Sequence, residues 1–270
     1  MRAIRTILFS GCLLGTAFPL AWASGSSPVF DKPLHKTRTT LPTDQDNPRS
    51  KPILSCFYYS DFMVKQVDLG EQGAEQISIL AWAKDHAEPK CLRANAKNEI
   101  VIDPKVWSGY FEGVKGDFVF LRADDGYFRG MSFGVFSASD GSKIFEDAAK
   151  FDKGAIEFTA LVALNDPKGG IESAIMLRYR RVYVATCSIQ AKEKSCWNSI
   201  RQVTGLPETA PPDCAAAYEA EKRSFPHDAK EIDSYPSVVT YEVEVVLNRR
   251  NSVVRATSDS KGMGCYPADN

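Results

Sequence analysis

Six cysteines follow residue 50 of this 270-residue chain: Cys56, Cys91, Cys187, Cys196, Cys214 and Cys265. Thiols do one of three things in such numbers: they pair, hold a metal or exchange electrons. Zinc sites need short ligand spacings, and no two of these cysteines stand two to four residues apart. No histidine joins them in a matching pattern either. The Cys-x-x-Cys motif of thiol–disulfide exchange is absent. Pairing is left, and the spacing points to three bridges. Cys56 opens one strand and Cys91 follows the next, so a hairpin brings them together. Cys187 and Cys196 bracket a short polar loop at 188–195. Cys214 then falls to Cys265.

A seventh cysteine, Cys12, lies in a segment of a different kind. Arg2 and Arg5 precede an uncharged apolar stretch at 7–20, and Ala21-Trp22-Ala23 sets small residues where a signal peptidase reads them. The pattern is that of a secretory signal cut after Ala23, too short and wrongly flanked for a lasting membrane span. Lipidation at Cys12 is the competing reading, but only about five apolar residues precede it, short of the usual core of such signals. Export makes an even set of six cysteines a disulfide framework. The expected localisation is therefore periplasmic or secreted, with no transmembrane segment in the mature chain.

Other chemistry is thinly represented. His35 stands in a polar leader, His86 in a charged loop and His227 after Pro226. No Gly-x-Ser-x-Gly elbow, His-Glu-x-x-His pair, phosphate loop or dinucleotide glycine motif accompanies them. No catalytic residue is assigned. Paired carboxylates leave no trace in one sequence, because the two acids of a glycosidase meet in space. Asp124-Asp125-Gly126 is the most visible acidic pair and reads as a turn. With Asp140, on a neighbouring turn, it makes a weak set of calcium ligands that lacks the alternating acids of an EF-hand; otherwise no cofactor is expected. Arg178 and Arg180 share one face of a strand and could grip an anion, or pair with Glu242 and Glu244 of another strand. Trp107, Tyr110 and Phe111, interleaved with Gly109 and Gly113, read as an aromatic loop that binds a partner or plugs the end of a sheet.

The elements that must position these residues are strands. Residues 57–67 are aromatic and β-branched, and 76–82 resume after a glycine-bracketed turn. Short apolar runs at 117–122, 131–138 and 143–145 are separated by Asp- and Gly-bearing turns, Asp140-Gly141 being the strongest hairpin signal. Residues 156–164 alternate over their first half, and 171–187 return after the turn at 165–170. Val239, Tyr241, Val243, Val245 and Leu247 alternate with polar residues, which predicts a strand with one buried face. Helix is confined to 197–203 and 213–225, the second begun by Pro211-Pro212-Asp213 and stopped by Pro226.

The expected fold is all-β, a mainly antiparallel sandwich, barrel or small propeller-like sheet with one or two short surface helices, held by disulfides. It comprises a signal at 1–23, a disordered leader at 24–51 and a single β-rich domain at 52–270. The mature chain carries 31 basic and 34 acidic residues, a net −3, so nothing suggests nucleic acid held by charge. The expected role is an exported, non-enzymatic binding protein, in the manner of an inhibitor or immunity protein. Its partner would be a protein or a cell-envelope component. The competing expectation is a secreted hydrolase that attacks envelope polysaccharide or peptidoglycan through carboxylates.

Overall fold

The computed structural model describes residues 30–43, 48–70, 73–82, 87–127, 130–152, 155–164, 174–257 and 262–268. The signal expected at 1–23, His86 and the turn expected at 165–170 lie outside them. The described residues form two large antiparallel sheets, a two-stranded ribbon and three helices. The first sheet runs β1 (His35–Thr40), β2 (Ile53–Tyr58), β3 (Phe62–Asp68), β4 (Gln76–Ala81) and β5 (Glu99–Val101), in that order. Residues 57–67 are thus not one strand: Ser60 and Asp61 turn β2 into β3, with Tyr59 N donating to Phe62 O at 2.9 Å.

The second sheet holds β6 (Gly109–Lys115), β7 (Phe118–Tyr127), β8 (Gly130–Ser137) and β9 (Lys143–Ala149), and a separate ribbon joins β10 (Phe151–Asp152) to β11 (Ala155–Ile156). After β12 (Phe158–Leu164) and β13 (Ala174–Val184) come α1 (Ile189–Thr204), α2 (Ala215–Ser224) and α3 (Ala229–Ile232). The sheet ends with β14 (Ser237–Asn248), β15 (Ser252–Ala256) and β16 (Gly264–Pro267). Its order is β15-β14-β13-β9-β8-β7-β6, with β12 also on β13 and β16 also on β14.

Alternation along β7 explains the layering. Val119 and Leu121 face the first sheet and join Phe62, Val64, Ile77, Ile79 and Phe136 in one core. Phe118 and Phe120 face the other way, into a larger core with Phe133, Phe158, Leu177, Tyr179 and the inner face of β14. A strand buried on both faces cannot show a polar–apolar period, as 117–122 does not. The second sheet curls around the larger core, so that β12 comes alongside β6. Phe30 lies in that core, its ring 5.2 Å from Phe120 and 5.8 Å from Phe158. Asp31 N continues the contact onto β6, donating to Val114 O at 2.8 Å.

Two expectations are corrected here. The leader at 24–51 is not structureless where it is described, since His35–Thr40 pairs with β2 in full register. Its residues alternate only weakly because β1 is an exposed edge. The segment 188–195 is not a loop but the first half of α1, capped by the Ser188 side chain accepting from Ala191 N. Lys192 leaves helical geometry there, and the Cys187–Cys196 bridge spans the break. The other bridges are Cys56–Cys91 and Cys214–Cys265. No helix of the described residues is long and apolar enough to cross a membrane.

Candidate functional site

The second sheet stops short of β1, and the step leaves a cleft of about 500 Å³ where the two sheets part. Its floor is the inner face of the first sheet: Lys36 and Arg38 of β1, Ile53, Ser55 and Phe57 of β2, Gln66 and Asp68 of β3. Its wall is the end of β6 and β7, with Tyr110, Phe111, Arg122 and Asp124. The floor follows from the period of two, because Arg38 stands opposite Ser55 and Lys36 opposite Phe57.

Rings and cations are interlocked in this cleft. Phe57 meets Phe111 at 4.5 Å between centroids, and the Lys36 ammonium lies 4.6 Å over the Phe57 ring. The Arg122 guanidinium lies 4.8 Å over Tyr110 and 3.1 Å from the Glu112 carboxylate. Such contacts hold flexible cations in place. Burial pushes the Glu112 carboxyl above its ordinary range, and Arg122 pulls it part of the way back. Gln66 Oε1 accepts from Phe111 N at 2.8 Å, tying floor to wall. Arg38 has no ion-pair partner among the described residues.

The aromatic trio is therefore split. Tyr110 and Phe111 are strand residues lining the cleft, whereas Trp107 is 9% exposed and packs in the inter-sheet core against Phe136. Gly109 has φ +156°, and a Cβ there would overlap the β7 backbone. The chain passes against β7 at this point, two residues after the buried Trp107.

The acidic candidates are not gathered. Asp124 and Asp125 lie inside β7, where its register on β8 shifts, rather than on a turn. Asp140 sits at the other end of the β7–β8 hairpin and caps its own turn, accepting from Ser142 N at 3.0 Å and Ser142 Oγ at 2.8 Å. Those bonds hold its carboxyl below the ordinary range. Among the described residues no group of three or more His, Cys, Asp or Glu side chains is arranged to hold a metal.

Arg178 and Arg180 are occupied across the β13–β14 ladder. Arg178 Nε donates to Glu244 at 2.8 Å, and Arg180 Nε to Glu242 at 3.2 Å. The arginine that periodicity passes over is Arg181. It donates from Nε to Asp147 Oδ2 at 2.7 Å, and the buried Tyr179 hydroxyl donates to the same oxygen. Burial and the Asp147 charge drive the Tyr179 phenol far up, so it remains a donor. Burial opposes the Arg181 charge, and Asp147 more than offsets that. Arg181 and Tyr241 border a second, open cavity of about 470 Å³, lined also by Thr204, Pro207, Val254 and Arg255.

A third polar cluster lies on the opposite face of the first sheet. Lys65 Nζ lies 2.5 Å from Glu99 Oε1, and donates to Leu92 O at 3.2 Å and Asn95 Oδ1 at 3.1 Å. It is wholly enclosed by the strap that the Cys56–Cys91 bridge ties down. Every partner is structural, and neither group is offered to a ligand. No family model matches the chain, and no curated protein or solved structure proves similar to it.

Proposed function

We propose that this chain is an exported, non-enzymatic binding protein that receives its partner in the cleft between the sheets. The observation that carries the reading is the lining of that cleft. Two sheets contribute three rings, three cations and two carboxylates to one open trough, and rings hold two of the cations, Lys36 and Arg122. A surface with large apolar area and preset charge is suited to recognition. The export part rests on the sequence pattern at 1–23 and agrees with three disulfides.

Asp68 and Asp124 in the same cleft also favour, more weakly, a carboxylate hydrolase. Each, however, accepts from a neighbouring backbone N–H: Asp68 from Gly70 N at 2.8 Å and Asp124 from Asp125 N at 3.1 Å. That engagement suits positioning better than proton transfer. Release of reducing ends from peptidoglycan by the wild-type chain, abolished by Asp124→Asn, would establish the enzyme instead.

The test is site-specific photocrosslinking in the envelope of the producing cell. A photoreactive residue at Tyr110 should yield a discrete adduct, and one at the exposed Lys194 of α1 should not. Equal adducts from both positions, or none from Tyr110, would overturn the reading.

A further inference from the structure

The cleft is open on one side, and that side is the free edge of β1. In the β1–β2 ladder Leu41 N donates to Pro52 O, and the register makes His35, Thr37 and Thr39 bonded partners of β2 as well. Lys36, Arg38 and Thr40 therefore turn their backbone N–H and C=O outward. Those groups have no backbone partner among the described residues, and β1 ends the sheet.

The same alternation puts the Lys36 and Arg38 side chains on the cleft face. The strand His35-Lys36-Thr37-Arg38-Thr39-Thr40 contains no acid. An added strand would lie about 5 Å from β1 and three strand spacings, about 14 Å, from Asp68 on β3. Asp124 belongs to the facing sheet, about 10 Å across. At physiological salt the nearer cations dominate over charges at those distances.

From this we infer that β1 takes up an extended, acidic segment of a partner protein as an additional strand, its alternate carboxylates meeting Lys36 and Arg38 at the rim of the cleft. The inference rests on the cleft being the binding site and names its occupant. Main-chain bonds to Lys36, Arg38 and Thr40 would supply affinity, and the charge alternation would supply selection. Charges on edge strands also serve to discourage pairing. The two roles predict opposite behaviour toward an acidic strand.

The experiment is a titration of the ¹⁵N-labelled, oxidised mature chain with a blocked heptapeptide alternating threonine and glutamate. Its counterpart alternates threonine and lysine. With the glutamate peptide, amide exchange should slow at Lys36, Arg38 and Thr40, and stay unchanged at Thr37 and Thr39. The lysine peptide should bind about tenfold more weakly, Arg38→Glu should abolish the preference, and Lys36→Glu with Arg38→Glu should reverse it. Thr40→Pro removes an outward donor without touching a β2 bond, and should weaken binding while leaving the melting temperature in place. Absence of protection at the even positions up to about millimolar peptide, or equal binding of both peptides, would overturn the inference. Shifts at Tyr110, Phe111 and Arg122 with unprotected β1 amides would overturn strand addition alone and leave the cleft as the binding site.

Discussion

On the far face of the first sheet, Lys65 and Glu99 keep 1% and 2% of their side chains exposed. On the outer face of the second, Arg178 and Glu244 keep 47% and 23%. Both are cross-strand ion pairs of nearly equal length. The first is sealed under a disulfide-tied strap, with carbonyl oxygens completing the shell of the ammonium. The second is bathed in solvent. An exposed pair gains little over hydration, whereas a buried charge depends entirely on its partner. The sequence writes each pair as a base on one strand and an acid on another, so their difference in burial is a product of what the strap at 91–98 covers.

The sharpest way to break this comparison is to remove one partner from each. Lys65→Met should cost about 3–5 kcal/mol, read as a large fall in the urea midpoint, because Glu99 is left buried without a counter-charge. Adding Glu99→Leu should recover part of that loss; no recovery would mean the pair stabilises outright. Replacing Cys56 and Cys91 together by serine should cost about 2–4 kcal/mol, and the strap should become the first region to lose amide protection. Asp147→Asn occupies the middle ground, since Tyr179 and Arg181 lose a charged acceptor: about 1.5–3 kcal/mol by thermal unfolding. Arg178→Ala should shift stability by no more than about 0.5 kcal/mol, and less in high salt.

The smallest effect is a pH dependence. The Glu112 carboxyl titrates above its ordinary value of 4.5 because burial disfavours its charge. A raised carboxyl stabilises the fold below its unfolded value, and that contribution is lost as pH rises through the folded one. Glu112→Gln should therefore flatten the stability profile just above pH 4.5. An unchanged slope there would mean that Arg122 fully offsets the burial.

Most strands, the Cys56–Cys91 and Cys187–Cys196 bridges and the helix at 213–225 were legible because each rests on a local signal, and the third bridge followed by elimination. Alternation in 239–247 predicts β14, with Val239, Tyr241, Val243, Val245 and Leu247 all buried at 0% exposure. Proline and alanine mark α2. What escaped was nonlocal. β1 has no apolar face and exists because β2 offers it a ladder. Lys65 reads as a surface residue between Val64 and Gln66, and only a strap some 30 residues later encloses it. The cleft itself was half visible: Tyr110 and Phe111 stood out by type, but Lys36, Arg38 and Phe57 join them only through a register no single segment encodes. Arg181 was set opposite to Arg178 and Arg180 by parity, without a sign that Asp147 awaited it there.

Phe30 bears on the order in which this molecule is assembled. Its ring fills the seam where β12 comes alongside β6, and Gly113 leaves the space that a side chain would deny it. The residues that receive it are made long after it, the last of them Phe158. Docking of Phe30 therefore closes a loop of high sequence separation. A chain emerging N-terminus first must hold this segment in reserve, and its arrival should be among the slow steps of folding.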